Sequence, residues 1–194
     1  VEKIVMRYLA EQKASQRRFK RTVPADVAPF EKCINKHTHQ THCIVGARAY
    51  DINAEKRLPL SLLINILGGP SANSRLNILL REKNGLSYNI EAAYTPYSDC
   101  GAVAIYFSCD HHNTDLCREL IDKELHTLRS TRLTSRQLSL IKRQFLAQMA
   151  ISMENNEGYM LGAGKSYLIH DEIDTLEEVY KKVSAVTAEQ ILEV

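Results

Sequence analysis

The chain has 194 residues, of which 44% are hydrophobic and 25% are charged, and its formal net charge is +2 at pH 7. This composition is typical of an ordinary globular domain that is long enough to bury a core. A net charge this small argues against a nucleic acid or an anionic membrane surface as the partner.

The cysteines and the hydropathy bear on the compartment. The five cysteines form no C-x-x-C pair, and an odd number fits poorly with the disulfide framework of a secreted protein. We therefore expect a cytoplasmic protein whose cysteines act as small buried hydrophobes, or a periplasmic one if a leader has been removed. No apolar run reaches the roughly 18 residues that a membrane-spanning helix needs. We predict no membrane contact and no nucleic-acid partner.

The first 35 residues are expected to form a helix and a linker that lead out of a preceding domain. Apolar residues recur at helical spacing over residues 4–9 and give way to a basic run, residues 16–21. Pro24 and Pro29 follow, and each proline biases the residue before it away from helix. We interpret the basic run as a solvated flank of the linker, with contact to a partner domain as the alternative.

A strand and two helices are predicted next. Residues 40–50 are rich in β-forming side chains, and residues 58–67 are apolar nearly all round, as is typical of a buried helix. Gly68 and Gly69 should end this helix, and Gly85 should end the short leucine-bearing helix that follows. The cap of the short helix is expected from one of three side chains, Ser71, Asn73 or Ser74.

Residues 86–94 and 103–109 alternate with period two on either side of a turn, which predicts a β-hairpin. Helices follow to the end of the chain, and the last is expected to be cut by it. Three capping boxes mark helix starts: Thr134 with Gln137, Thr175 with Glu178, and Thr187 with Gln190. Residues 36–194 are thus predicted to form one α+β domain, truncated at its C-terminus, with helices on one face of a largely antiparallel sheet.

A cluster of histidines resembles a metal site in composition. His37, His39, His42 and Cys43 carry side chains that bind zinc. In an extended strand, however, His42 points to the face opposite the other three, so the four side chains cannot converge. We therefore predict no metal in this chain and interpret the histidines as surface or strand-edge residues. The same interpretation applies to a later pair, His111 and His112.

Arg81 and Tyr88 stand at the end of the short helix and at the start of the hairpin. Considered by themselves, both have ordinary structural explanations. An arginine in the last turn of a helix satisfies free carbonyl groups, and a tyrosine on a strand packs across a hairpin.

The strings S-R-L, L-R-E-K and G-L-S-Y follow one another over residues 74–88. In order and spacing they resemble the second half of the pitrilysin/insulinase-type zinc peptidases, the family that includes the mitochondrial processing peptidase. The similarity extends over residues 40–194. It implies that Arg81 and Tyr88 donate hydrogen bonds to peptide carbonyl oxygens near the scissile bond, with Tyr88 also helping to stabilise the tetrahedral intermediate. Residues 68–73 carry fewer glycines than the mobile loop of some members, so loop gating is not expected.

In these enzymes two halves enclose an extended peptide, and the first half holds zinc on an inverted H-x-x-E-H motif, a string that this sequence lacks. The resemblance therefore implies the C-terminal, metal-free half of a zinc metalloendopeptidase, inactive alone and holding no cofactor itself. Its partners would be a zinc-binding N-terminal half or homologous subunit, and a peptide substrate. The alternative is a non-catalytic peptide-binding or structural subunit of the same fold.

Overall fold

A three-stranded antiparallel sheet lies at the centre of the fold within the described part of the chain. The computed structural model describes residues 1–11, 18, 20, 22 and 24–194. The strands are β1 (Thr41–Ala49), β2 (Ser87–Pro96) and β3 (Gly101–Cys109), in the spatial order β1-β3-β2. β2 and β3 form the predicted hairpin, and β1 pairs with the other side of β3.

Helices occupy the places that the sequence predicts, which confirms the α+β class. They are α1 (Glu2–Leu9), α2 (Arg57–Gly68), α3 (Thr114–Ser130), α4 (Ser135–Met153), α5 (Asn156–His170), α6 (Leu176–Ala185) and α7 (Ala188–Leu192). A π-helix (Asn77–Lys83) precedes β2, and a 3₁₀ turn (His111–Asn113) precedes α3. Among the described residues, no helix is both long and apolar enough to cross a bilayer.

The ends of the later helices follow local capping chemistry. All three predicted capping boxes are present, at the starts of α4, α6 and α7. α7 ends at Leu192, and Val194 packs against the main core cluster.

One face of the sheet packs on helices and the other is open. The main core cluster combines strand residues with residues of α2, the π-helix and α3: Ile90, Ile105, Phe107, Leu67, Leu80 and Ile121. On the opposite face, Ile44 of β1 is 71% exposed. Helices therefore cover one face of the sheet, as predicted, because the period-two pattern puts the apolar side chains of β2 and β3 on a single side.

The end of α2 lies directly on β2. A Cβ atom at Gly68 would lie 2.6 Å from the backbone nitrogen of Ala92 and 2.7 Å from its Cβ. Only glycine permits so close an approach between a helix end and a strand. Gly68 and the C-cap Gly69 thus end α2 as predicted, and they bring the chain to the start of the π-helix.

The start of the π-helix differs from the predicted capping, since none of the three candidate side chains caps it. The hydroxyl of Ser71 instead accepts a hydrogen bond from the Asn73 N–H at 3.2 Å, inside the preceding turn. Ser74 is buried, and its hydroxyl has no hydrogen-bond partner among the described residues. Only the Ser74 carbonyl enters the helix, accepting from the Ile78 N–H at 3.0 Å.

α4 and α5 form a region with little burial. No residue of either helix, both of which are described in full, is buried. In α5, Met160 and Leu161 are each 63% exposed, and Leu168 is 86% exposed. Phe145 and Leu146 of α4 are partly buried against a smaller core cluster that α2, α6 and α7 form.

The segment before β1 contains the predicted first helix, α1, and no residue of that helix is buried. The stretch before β1 contacts the rest of the fold through two ion pairs, Asp26 with Arg48 of β1 and Glu31 with Arg118 of α3. Its role as a linker from a preceding domain stays a prediction. Residues 16, 17, 19 and 21 of the predicted basic run lie outside the described residues.

Three cysteines from three elements meet beneath the sheet. Cys43 of β1 is partly buried against the main core cluster, which contains Cys109 of β3 and Cys117 of α3. Cys109 and Cys117 are fully buried, as predicted for them, and burial together with the neighbouring Cys109 raises the pKa of the Cys117 thiol to about 12. The prediction of a buried thiol is wrong for Cys33, which is exposed because it lies in the stretch before β1.

Candidate functional site

One end of the sheet gathers the polar residues of the candidate site. β1 and β2 begin there and β3 ends there, because Thr41 and Ser87 both pair with Cys109. Tyr88 follows Ser87, and Asp110 follows Cys109. The hairpin register therefore brings Tyr88 and Asp110 to the same end of the domain.

Arg81 lies close to the start of β2 because the chain turns tightly after the π-helix. Gly85 has a φ of 59°, a left-handed conformation that glycine adopts readily. Its N–H donates to the Arg81 carbonyl at 3.0 Å, and the Leu86 N–H donates to the Leu80 carbonyl at 2.8 Å. The bond from the left-handed Gly85 to the carbonyl four residues earlier is the one that defines an αL helix end, and it confirms Gly85 as the end of the helix.

The Arg81 side chain is presented to solvent from the last turn of the π-helix. Its Nε lies 3.6 Å from a carboxylate oxygen of Glu82, and the two side chains are 58% and 57% exposed. An ion pair this exposed is weak, so most of the five guanidinium donors remain available to another partner. Spacing of leucines predicts a helix here but does not distinguish π from α winding over seven residues. π-helical turns occur frequently at functional sites.

Tyr88 occupies a β-bulge. Ser87 pairs with Cys109 while Asn89 pairs with Ser108, so Tyr88 is an extra residue with no partner of its own across the ladder. The buried hydroxyl of Ser87 donates to the carbonyls of Asn89 and Ser108, at 2.9 and 3.0 Å, which secures the bulge. A bulge redirects the side chain that it carries. Tyr88 is accordingly 60% exposed.

The Tyr88 hydroxyl donates a hydrogen bond to Oδ1 of Asp110 at 3.2 Å. The charge of Asp110, followed by this hydrogen bond and by burial, raises the pKa of the Tyr88 phenol. Asp110 is a site residue that the sequence interpretation omits. A regular antiparallel ladder would place residue 88 opposite residue 108, so the contact with Asp110 depends on the bulge and carries no signal in the sequence.

The histidines serve as structural polar groups around this end of the sheet. His42 stacks on Tyr106 of β3, with 2.7 Å between its Nδ1 and the tyrosine hydroxyl oxygen. The ring of His111 connects the hydroxyl of Thr41, at 2.7 Å, with the carbonyl of Thr38, at 2.9 Å. His111 thereby joins the turn after β3 to the start of β1.

The predicted opposition of His42 and Cys43 is confirmed, since His42 is exposed and Cys43 packs on the core. His37 and His39 are exposed and lie in the loop before β1, because the strand begins only at Thr41. Among the described residues, no group of three or more histidine, cysteine, aspartate or glutamate side chains is arranged to hold a metal ion.

The arrangement offers hydrogen-bonding groups at one end of the sheet. Arg81 supplies donors only, and Tyr88 supplies one donor and acceptor oxygen, at the end of a sheet whose outer face is open. Such groups suit the recognition of backbone carbonyl oxygens.

Comparison with known proteins identifies the family. A family model described as the peptidase M16 inactive domain matches residues 1–145. The uncharacterised zinc protease YmxG of Bacillus subtilis is 31% identical over 156 residues, which is 80% of this chain and 38% of that protein. The chain thus spans well under half the length of this relative.

Solved structures agree on the fold. The peptidase M16 inactive domain from Pseudomonas fluorescens is 24% identical with a TM-score of 0.68, covering 80% of this chain and 37% of that one. A chain of complex III from Candida albicans is 15% identical with a TM-score of 0.70, covering 82% of this chain and 40% of that one. The family model, which matches residues 1–145, shows that the chain belongs to the peptidase M16 family and carries its inactive-domain type.

Proposed function

We propose that this chain is the metal-free half of a zinc metalloendopeptidase and that it holds an extended peptide while a zinc-bearing half or homologous subunit cleaves it. The observation that supports this most is the joint presentation of Arg81 and Tyr88, both exposed, on either side of one tight turn at the end of the sheet. The names of relatives as zinc proteases agree with it.

In this proposal Arg81 and Tyr88 act by position. The guanidinium of Arg81 donates to peptide carbonyl oxygens, and Tyr88 contacts the carbonyl nearest the scissile bond. Donors fixed in advance stabilise developing negative charge without reorganising. The open edge of β2 would add the peptide as a further strand, reading its backbone more than its side chains, so broad specificity is expected.

The other half would supply the chemistry. Zinc there acts as Lewis acid and as activator of water, and the glutamate of the inverted motif acts as general base. This chain contributes the alignment of the substrate, which lowers the entropic cost of reaching the reactive geometry. We keep the cytoplasm as the proposed compartment, with the periplasm as its alternative.

A non-catalytic subunit is the second candidate. The same fold occurs in a chain of complex III, whose name does not describe a protease. The two candidates differ in the parent protein's sequence. An H-x-x-E-H motif upstream, or in a subunit that co-purifies, favours the peptidase, and its absence from both favours the structural subunit.

The test of the proposed function uses the full-length or reconstituted protein. Arg81→Ala and Tyr88→Phe should each lower kcat/KM, because each removes one fixed donor. The fall should correspond to a loss of about 2 to 4 kcal/mol of transition-state stabilisation. Thermal unfolding should remain unchanged, since both side chains are exposed.

Matched controls lie nearby. Lys83→Ala removes an exposed cation from the same turn of the π-helix, and Tyr97→Phe removes the hydroxyl of a tyrosine that is 53% exposed at the other end of the hairpin. Neither control should change turnover. Normal kcat/KM in both site variants would contradict the proposal, as would stoichiometric zinc or peptide cleavage in a clean preparation of this chain alone.

A further inference from the structure

We propose that Asp110 is the positioning residue for Tyr88: its carboxylate holds the tyrosine ring at the end of the sheet when no peptide is bound and releases the hydroxyl to a peptide carbonyl when one arrives. This inference rests on the proposed function for its purpose. The contact itself, between the Tyr88 hydroxyl and Oδ1 of Asp110, is independent of it.

Hydrogen bonds anchor the turn that carries Asp110. It follows the last residue of β3, the central strand, and its carbonyl accepts from the Asn113 N–H at 2.9 Å. The next residue, His111, is held by Thr41 and Thr38 on the β1 side. Thr114 adds a hydrogen bond from its hydroxyl to the His111 carbonyl at 3.0 Å. The turn that carries the carboxylate is therefore fixed from both of its ends.

Tyr88, in contrast, depends on a partner for its orientation. As the extra residue of a bulge it has no residue directly opposite on β3, and 60% of its surface is exposed. An aromatic side chain in such a place has several rotamers open to it, and fixing one costs conformational entropy. The bond to an anchored carboxylate selects one of them before a peptide binds, which is the condition for preorganised recognition.

The length of the bond suits exchange with a substrate. Hydrogen bonds from a hydroxyl to a carboxylate are usually about 2.5 to 2.7 Å long, and this one measures 3.2 Å. The phenol has a single proton, whereas an ionised carboxylate is only an acceptor. A peptide carbonyl must therefore replace Asp110 as the acceptor, and a long, exposed bond makes this replacement inexpensive.

The charge of Asp110 also affects the ionisation of the phenol. It raises the pKa of Tyr88 above its ordinary value of 10.0, so loss of the donated proton requires a more alkaline solution. A positive neighbour in the same place would have the opposite effect.

A double-mutant cycle in the full-length protein tests the inference. Asp110→Ala should raise KM about fivefold with a smaller change in kcat, because the ring is disordered before binding but fixed by the peptide afterwards. Asp110→Ala in the Tyr88→Phe background should change KM by less than about twofold. Asp110→Asn keeps an acceptor oxygen and should restore most of the loss. Equal effects of Asp110→Ala in both backgrounds would overturn the inference, since Asp110 would then act through its turn.

A second measurement needs no peptide. Titration of the Tyr88 phenol in the 194-residue chain, by ¹³C NMR with Tyr88→Phe for assignment, should show ionisation at lower pH in Asp110→Asn. Asp115→Asn, at the start of α3, is the charge control and should leave this titration unchanged. An unshifted phenol in Asp110→Asn would overturn the inference whatever the peptide data show. A shifted phenol with normal cleavage by Tyr88→Phe and Arg81→Ala would instead contradict the proposed function and leave only the contact.

Discussion

Two regions of the chain both contain large apolar side chains, but only one of them buries these side chains in a core. The sheet region, residues 41–130, places its strand and helix residues around a continuous core. The α4–α5 pair, residues 135–170, contains leucines and aromatic residues but not one buried residue. Hydrophobic composition alone therefore does not determine burial here, because a helix needs a second surface against which to pack.

The difference also concerns the candidate site. Tyr88, Asp110 and Arg81 all belong to the sheet region, where hydrogen bonds and close packing fix the backbone that carries them. A binding site on well-packed elements holds its geometry better than one on a loosely packed pair of helices. We therefore expect stability and substrate recognition to depend on the sheet region far more than on α4 and α5.

The largest contrast should come from two apolar truncations. Phe107→Ala in β3 should lower the free energy of unfolding by about 3 to 5 kcal/mol, because Phe107 is fully buried and its removal leaves a cavity. Leu168→Ala in α5 should change it by less than about 0.5 kcal/mol, since Leu168 is 86% exposed. Urea unfolding followed by circular dichroism measures both. Similar losses in the two variants would mean that α5 is as tightly packed as the sheet.

Two glycine substitutions, one in each region, should change the stability by an intermediate amount and in opposite directions. Gly68→Ala should destabilise the fold by about 1 to 3 kcal/mol, since the new Cβ would meet the backbone of Ala92. Gly162→Ala in α5 should stabilise it by about 0.5 to 1 kcal/mol, because nothing lies within 4 Å and alanine favours helix. Thermal unfolding distinguishes opposite shifts. A gain in Gly68→Ala would show that α2 can move away from β2 without cost.

The smallest expected effect is on the pH dependence of stability, and it involves the start of α6. Hydrogen bonds from the N–H and hydroxyl of Thr175 lower the pKa of the Glu178 carboxyl below its ordinary value of 4.5. Its contribution to stability is therefore complete above pH 4.5 and is lost as the pH falls through the lower, folded value. Glu178→Gln should remove this part of the acid dependence of the free energy of unfolding, whereas Thr175→Ser should retain it. A pH profile unchanged by Glu178→Gln would contradict the assignment.

Local chemistry explains why much of the fold could be predicted from the sequence. A capping box such as Thr134 with Gln137 lies within four residues and needs no tertiary partner, and the alternation of β2 and β3 follows from period-two burial. Arg81 and Tyr88 were found through the resemblance to a family, not through any feature of their own. Their role in binding stays a prediction.

Features that depend on distant contacts could not be predicted in the same way. The π winding before Arg81, the bulge at Tyr88 and the exposure of α5 all depend on how elements meet in space. Asp110 lies 22 residues from Tyr88, so its contact follows only from the hairpin register and the bulge. The prediction that a side chain caps the π-helix is wrong, because the hydroxyl of Ser71 accepts a hydrogen bond inside the preceding turn.

The three sulfur atoms beneath the sheet have a consequence for the chemical durability of the domain. Oxidants and alkylating reagents attack the thiolate, and burial together with the neighbouring Cys109 raises the pKa of the Cys117 thiol, which disfavours that form. Cys33, out in the stretch before β1, has no such protection from burial. In the folded domain the fully buried thiols of Cys109 and Cys117 are thus closed to reagents, and their modification would mark a molecule whose sheet has already opened.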